Sequence, residues 1–233
     1  MTSITFGNRT ISYALHRADR KTLAITVKPD LSVVVSAPHS AEQEAIERIL
    51  RRRSAWIVRQ QRFFAQFLPR TPARQFVSGE THLYLGRQYR LRLRQADCEE
   101  VKLIGGYLYI YAGDTSDTER ARELLCQWYA AHAEARFNER LTACMQQIAG
   151  WKIPAPQLEI RSMVRSWGRC SPAGRLTLNI DLVRAPRICI DYVILHEICH
   201  LVHPNHSQEF YKLLAAVVPD WQIRKLRLEK MLA

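Results

Sequence analysis

The sequence has no apolar run that approaches the ~20 residues needed to cross a bilayer, so we expect no membrane-spanning helix. The first twenty residues lack a basic patch followed by a solid apolar segment, and we therefore expect no secretory signal peptide. The six cysteines form no CxxC pair and no dense framework. This spacing favours reduced thiols over disulfides or a zinc–cysteine site, and it predicts a cytoplasmic protein.

The sequence has fewer acidic than basic residues. The 233 residues include 34 lysines and arginines against 22 aspartates and glutamates, which gives a net charge of +12. Such a surface favours polyanionic partners such as nucleic acid, nucleotides or anionic lipid surfaces. The length fits one or two domains whose cores need no disulfide bonds. Nothing in the sequence indicates the oligomeric state.

The N-terminal half contains two blocks of β-forming residues, each followed by a helical pattern. The first block ends in a hairpin with its turn at Pro29 and Asp30, and the second contains a hairpin at Gly105–Gly106. Capping boxes at Ser40–Gln43 and Ser116–Glu119 predict where the two helices begin.

The pattern becomes mostly helical after Gly113. We therefore predict an α+β protein with a β-rich N-terminal subdomain over residues 1–113, which includes one basic helix, and a second domain over residues 114–233. Within the second domain, two short strands, QLEIRSMV and RLTLNIDL, flank the loop SWGRCSPAG. A helix is predicted to begin near Pro186.

That helix contains the most informative stretch, DYVILHEICHLVHPNHSQEF, which holds four of the eight histidines. His196 and His200 are four residues apart, so they differ by about 40° of helical rotation and share one face. Two imidazoles so placed can bind one metal ion. Glu197 lies about 100° away, where it can accept a proton from a water beside the ion. This H-E-x-x-H pattern is typical of metal-dependent hydrolases.

A catalytic zinc site usually has a third protein ligand. His206 is the predicted third ligand, because the sequence HPNH turns the chain back beyond the end of the helix. His203 is the rival, since it can stay on the same helical stripe. However, two helical turns, about 10 Å, separate His203 from His196. The predicted ligands of the ion are therefore His196, His200 and His206.

The same ion and base can act on a phosphoryl group as well as on a peptide. Four arginines near the motif could hold a triphosphate, although no Gly-rich phosphate loop is visible; they are Arg161, Arg165, Arg169 and Arg175. An oxyanion donor could come from the loop 165–169 or from Tyr211, and the sequence does not choose between them. Cys170, in the same loop, could approach the cleft.

A third interpretation concerns the helix ERILRRRSAWIVRQQRFF. Its arginines flank Trp56, and arginines beside an aromatic ring can grip phosphates and stack on bases. This arrangement would suit a nucleic-acid-associated binding protein. The commoner structure is a helix with one solvated basic face and one apolar face in the core, and we favour that prediction.

The run RSWGRCSPAGRLTLNIDLVRAPRICIDYVILHEICHLVHPNHSQEFYKLLAAVVPDW resembles the YgjP-like family of zincin metallopeptidases, distant relatives of the SprT-like proteases. The segments VVVSAP and VSGETHLYLGRQYRLRL also look like that family, so the resemblance covers nearly the whole chain. It implies a zincin-like catalytic core in residues 114–233. It also implies Zn²⁺ bound by His196, His200 and His206, with Glu197 as the catalytic base.

The resemblance thus implies a zinc metallohydrolase, most simply a metalloprotease whose partner is a protein or peptide substrate. An extended substrate could add to a free edge of QLEIRSMV or RLTLNIDL. Some members of the family carry a nucleoside triphosphate (UTP) pyrophosphatase description, which makes a metal-dependent pyrophosphatase the first alternative. The nucleic-acid-associated binding protein is the second.

Overall fold

The structure, a computed structural model, describes residues 2–28, 30–66, 68, 74–164 and 166–232. These residues form five α-helices and three β-sheets, with most strands in the first half of the chain. The predicted α+β class with a strand-rich N-terminal half is therefore confirmed. The chain divides into two compact units, Met1–Thr71 and Pro72–Ala233.

The first unit is a four-stranded sheet with one helix. Its elements are β1 (Thr2–Phe6), β2 (Arg9–Ala18), β3 (Ala24–Val27), β4 (Val33–Pro38) and α1 (Gln43–Ala65). The strand order is β1-β2-β4-β3, and the central pair β2–β4 is parallel. The antiparallel pairing of β3 with β4 confirms the first predicted hairpin. Pro29, in its predicted turn, lies outside the described residues.

Helix α1 separates its charges from its apolar residues. Ile46, Leu50 and Ile57 are fully buried against the sheet, and Trp56 packs on the same core. The arginines of this helix are all exposed: Arg48, Arg51, Arg52, Arg53, Arg59 and Arg62. The favoured prediction of one solvated basic face is confirmed. The predicted capping box at Ser40–Gln43 is wrong, because the N-cap is Glu42 and no side chain caps the helix.

The second unit begins with another four-stranded sheet and helix. Its first elements are β5 (Thr81–Tyr84), β6 (Arg87–Gln95), β7 (Glu100–Ile104), β8 (Tyr107–Ala112) and α2 (Thr118–Gln147). The strand order β5-β6-β8-β7, with a parallel central pair, repeats the arrangement of the first unit. Gly105 and Gly106 both have positive φ angles in the two-residue turn between β7 and β8, as the second hairpin prediction requires.

The N-terminus of α2 lies one residue beyond the predicted position. Asp117 is the N-cap, and its side chain accepts a hydrogen bond from the backbone N–H of Arg120 at 2.9 Å. Ser116 instead donates to the carboxylate of Asp114. The capping box predicted at Ser116–Glu119 is therefore wrong in detail, because an aspartate next in sequence competes for the same role.

The second strand block shares its core with α2. Leu91 and Leu108 are fully buried in the same apolar cluster as Leu125. The sheet thus belongs with the helices that follow it, and the units divide at residues 71–72 rather than at residues 113–114, where the sequence pattern places a boundary. Strand patterning shows that a sheet has a buried face, but it does not identify the helix that covers it.

The rest of the second unit contains the histidine motif. Its elements are β9 (Gln157–Arg161), β10 (Gly168–Cys170), β11 (Arg175–Asn179), α3 (Arg187–Cys199), α4 (Gln208–Val217) and α5 (Trp221–Leu232). Two 3₁₀ turns complete the set, at Ala149–Trp151 and Ile180–Arg184. Strand β11 pairs with β10 on one side and with β9 on the other. Of the two strands expected to offer an edge, RLTLNIDL (β11) is therefore central, whereas QLEIRSMV (β9) is an edge strand, as is β10.

Among the helices of the described residues, none combines the length and the apolar character that a bilayer crossing requires.

An ion pair ties α2 to the motif helix α3. The Arg140 guanidinium makes two parallel hydrogen bonds to the Asp191 carboxylate, Nε to Oδ1 at 2.6 Å and Nη2 to Oδ2 at 2.8 Å. The two side chains are only 23% and 13% exposed. The pKa of Arg140 is raised by this hydrogen bonding. A bidentate pair in this setting holds the two helices in one register.

We predict that Asp191→Asn lowers the free energy of unfolding by about 2 kcal/mol, because it leaves a mostly buried guanidinium without its counter-charge. Urea denaturation measures the change. Glu119→Gln is the matched control, since it neutralises the carboxylate of the exposed Arg122–Glu119 pair, and we expect it to leave the midpoint unchanged. A denaturation curve of Asp191→Asn that overlays the wild-type curve would contradict the prediction.

Candidate metal centre

Helix α3 places His196 and Glu197 next to each other near its C-terminal end. The helix ends at Cys199, and His200 is its C-cap with helical backbone angles. His200 therefore keeps the four-residue relation to His196 that the motif requires. The two imidazole ring centroids lie 5.1 Å apart.

His206 approaches the same point from beyond the helix. The chain turns back after His200, and Ser207 then caps α4 by accepting a hydrogen bond from the backbone N–H of Phe210 at 3.3 Å. This turn brings Nε2 of His206 to 3.1 Å from Nε2 of His196. The ligand nitrogens of the three histidines all lie within 4.8 Å of one another. The structure thus brings together the three imidazoles that the sequence selects.

His203, the rival ligand, supports the cluster through its backbone. Its carbonyl oxygen lies 3.1 Å from Nδ1 of His200. A carbonyl oxygen only accepts hydrogen bonds, so Nδ1 of His200 carries the proton and donates. This tautomer leaves the lone pair of Nε2 free for a metal, which is the usual role of a partner behind a ligating histidine.

Phe210 packs beneath all three imidazoles. It is fully buried, and its ring centroid lies 5.0 Å from that of His196, 4.5 Å from that of His200 and 4.7 Å from that of His206. The ring is nearly parallel to that of His200. One rigid side chain from α4 therefore limits the rotation of all three rings.

The chemistry of the three imidazoles fits a divalent metal. Burial, followed by the neighbouring His200 and His206, lowers the pKa of His196 to about 4, and burial also lowers the pKa of His206. Both rings are therefore unprotonated near neutral pH, as metal ligands must be. Two nitrogens bound to a tetrahedral zinc ion lie about 3.3 Å apart, close to the observed separation of the His196 and His206 nitrogens.

Glu197 lies on the next face of α3 and is only 8% exposed. Burial raises the pKa of its carboxyl group to about 7, and a hydrogen bond from the backbone of Cys170 partly opposes that effect. Among the described residues, Glu197 makes no ion pair with a basic side chain. A carboxylate that is held beside three imidazoles, without a cationic side chain, is available to exchange a proton.

The edge strand β10 passes directly over Glu197. A Cβ atom added at Gly168 would lie 2.9 Å from Cγ of Glu197 and 3.0 Å from Cγ1 of Val193. Only glycine allows the backbone of β10 to approach α3 this closely. The sequence pattern predicts a loop here, because three residues are too few to show strand alternation.

A cavity of about 140 Å³ opens beside His196 and Glu197. Its far wall is formed by Lys225 and Glu229 from α5, and Lys225 Nζ lies 3.9 Å from Oε1 of Glu229. Tyr192 closes its floor. Sequence reasoning missed the α5 residues, because nothing in an amphipathic C-terminal helix indicates which distant site it faces.

The other candidates from the sequence fall in different places. Arg161 and Arg175 each form an exposed ion pair with Glu159 at 3.2 Å. Arg165 lies outside the described residues. The ring of Tyr211 is stacked on that of His206, with centroids 6.0 Å apart.

Cys170 lies next to the cleft but is a poor nucleophile. Burial, aided by the nearby Glu197, raises the pKa of its thiol to about 11. The thiol therefore stays protonated near neutral pH, whereas a reactive cysteine needs a lowered pKa.

Three imidazoles that converge beside a glutamate are typical of metal-dependent hydrolases, and comparison with known proteins agrees. A family model described as "YgjP-like, metallopeptidase domain" matches residues 21–231. The chain belongs to this YgjP-like family. Membership supports a metal-dependent peptidase, and therefore a hydrolase, at the level of the family, and it implies a divalent metal.

The chain was also compared with curated proteins and with solved structures. No curated protein matches the chain. A crystal structure of the metallopeptidase zymogen abylysin from Pyrococcus abyssi is similar, with 22% sequence identity and a TM-score of 0.34. The alignment covers 39% of this chain and 87% of that one.

We predict that Gly168→Ala destabilises the second unit by about 1–3 kcal/mol, because its new methyl group must displace either β10 or the side chains of Glu197 and Val193. Chemical denaturation measures the loss. Gly113→Ala is the control, since an added Cβ there meets nothing within 4 Å, and we expect wild-type stability. Equal stability of the two variants would show that β10 does not lie against Glu197.

Proposed function

We propose that this protein is a zinc-dependent peptidase in which His196, His200 and His206 bind the ion and Glu197 is the general base. One observation carries the proposal: three imidazole nitrogens lie within 4.8 Å of one another, and the carboxylate of Glu197 is buried next to His196 on α3. Three nitrogen ligands with a fourth position left for water or substrate are the usual set for catalytic zinc. All six cysteines are unpaired, and we propose the reducing cytoplasm as the compartment.

When bound, the ion supplies Lewis acidity, which polarises a scissile carbonyl and makes an attacking water more acidic. Glu197 accepts the proton of that water at its carboxylate and then gives it to the leaving amine. In the metal-free protein, burial raises the pKa of this carboxyl group to about 7. Phe210 and the carbonyl of His203 keep the imidazoles oriented throughout.

Strand β10 is the proposed binding edge for the peptide. Its outer edge is unpaired in the sheet order β10-β11-β9, and its Gly168 lies against the general base. An extended peptide that pairs with β10 would therefore present a backbone carbonyl close to Glu197. Strand β9, the other edge, lies on the far side of β11 from this site.

Lys225 is the proposed partner of the carbonyl oxygen, which becomes negative during attack. Lys225 lines the cavity that His196 and Glu197 also line. A positive charge at this wall would stabilise the developing oxyanion. The candidates from sequence, Tyr211 and the loop 165–169, stay open beside it.

We predict that His206→Ala lowers zinc affinity at least 100-fold, because the substitution removes one of the three histidine ligands and leaves only two. Metal content of purified protein and competition with a chromogenic chelator measure the loss. His203→Ala is the matched control, since the group that supports His200 is a backbone carbonyl that survives the substitution. Loss of metal in His203→Ala, with retention in His206→Ala, would reverse the assignment.

We predict that Glu197→Gln retains the metal and loses 10²- to 10⁴-fold in turnover, because an amide cannot accept the proton of the water. The variant is an isostere, and a neutral group is favoured at this buried position, so the fold should survive. The assay panel is unfolded casein, a protein crosslinked to DNA, and UTP, each with metal-loaded protein.

The panel also separates the alternative functions. Turnover of UTP alone, lost in Glu197→Gln, would favour the pyrophosphatase. A salt-dependent shift of DNA without turnover, unaffected by Glu197→Gln, would favour the nucleic-acid-associated binding protein. Full peptidase activity in Glu197→Gln would show that Glu197 is not the general base.

A further inference from the structure

Three arginines from three separate elements line one surface cavity of the second unit. Arg87 begins β6, Arg187 begins α3 and Arg227 lies on α5. They surround a cavity of about 450 Å³, and its remaining walls are uncharged. The residues are far apart in sequence, so the tertiary fold alone brings their positive charges together.

Among the described residues, no acidic side chain is hydrogen-bonded to these three arginines, although Glu139, which is paired with Arg136, has its pKa lowered chiefly by Arg136 and also by Arg187. The cavity has no aspartate or glutamate in its lining. Within the described part of the chain, the guanidinium groups of Arg87, Arg187 and Arg227 make no salt bridge and no side-chain hydrogen bond. By contrast, Arg140 and Arg184, on neighbouring elements, both bind an aspartate. Three like charges around one cavity repel one another, and an anion would relieve that repulsion.

The remaining surroundings also suit an anion. The cavity lies at the N-terminus of α3, a helix with no side-chain cap and no acidic residue in its first turn. The positive end of a helix adds to the field of the arginines. Tyr89, Pro186 and Ile188 supply a partly apolar wall against which the non-polar part of a ligand can rest.

This cavity is separate from the histidine cluster. Arg187 and His196 are nine residues apart on α3, which is about 14 Å along the helix axis. The residues that line the two cavities do not overlap. A ligand here would therefore bind independently of the metal.

We propose that this cavity binds a compact oligophosphate, such as pyrophosphate or the phosphate chain of a small molecule, through Arg87, Arg187 and Arg227. Each guanidinium offers a planar fork of donors that matches two phosphate oxygens. Three positive charges are balanced by the two to four negative charges of an oligophosphate better than by a single monovalent anion. The site would serve as a binding site beyond the hydrolytic centre, whatever substrate that centre takes.

Calorimetric titration with pyrophosphate at constant ionic strength tests the proposal, using full-length protein with and without prior chelator treatment. We expect saturable binding that survives chelation and that weakens about tenfold or more in each of Arg187→Gln and Arg227→Gln. Arg90→Gln is the matched control, because Arg90 is an exposed arginine of the same strand as Arg87 and does not line the cavity. We expect it to bind like the wild type.

Thermal denaturation provides a second measurement. Pyrophosphate should raise the midpoint of the wild type and of Arg90→Gln but not that of the double variant Arg187→Gln, Arg227→Gln. Without the anion, the double variant should be at least as stable as the wild type, since it has lost two repelling charges.

Three results would overturn the proposal. Equal weakening in Arg90→Gln would show a diffuse basic surface. Loss of binding after chelation, or in His206→Ala, would place the anion at the histidine cluster. Displacement of pyrophosphate by a single-stranded oligonucleotide that binds far more tightly would indicate a nucleic-acid surface instead of a small-anion site.

Discussion

The close approach of His206 to His196, with their Nε2 atoms 3.1 Å apart, is the contact on which the rest of the site depends. The two residues come from different elements, the helix α3 and the turn before α4. Two features hold them together: Phe210 packs beneath both rings, and Ser207 caps α4 just after His206. The Arg140–Asp191 pair in turn ties α3 to α2. The site is therefore a product of the whole second unit and not of one motif.

The parts of the site that are local in sequence could be predicted, because helical geometry fixes them. The four-residue spacing places His196 and His200 on one face, and a Pro–Asn turn returns His206 to them. The two hairpins could also be predicted, since a short turn with glycine or proline between two alternating runs is typical of a hairpin. The first residue of a helix was harder to predict, because Asp117 lies beside the predicted cap Ser116 and both residue types can cap a helix.

The parts that depend on tertiary packing could not be read from the sequence. Gly168 had no visible role until β10 was seen to lie against Glu197. Lys225 lies 29 residues beyond His196, on a helix whose pattern shows only that it is amphipathic. The core shared by the second strand block and α2 is a further example, since the strand pattern does not show which helix covers the apolar face of that sheet. Patterning shows that a face will be buried, whereas its partner is decided by the fold as a whole.

The burial of Glu197 connects stability with chemistry. A carboxylate that is only 8% exposed and has no basic partner among the described residues loses solvation, which is why its pKa rises to about 7. Folding therefore works against the charged form of this residue, and a water-exposed glutamate would be more favourable for stability. The close contact with Gly168 keeps the carboxylate buried despite that cost. A divalent cation held by the adjacent imidazoles would supply the missing counter-charge, so the burial that costs the folded chain stability would be offset by the proposed metal.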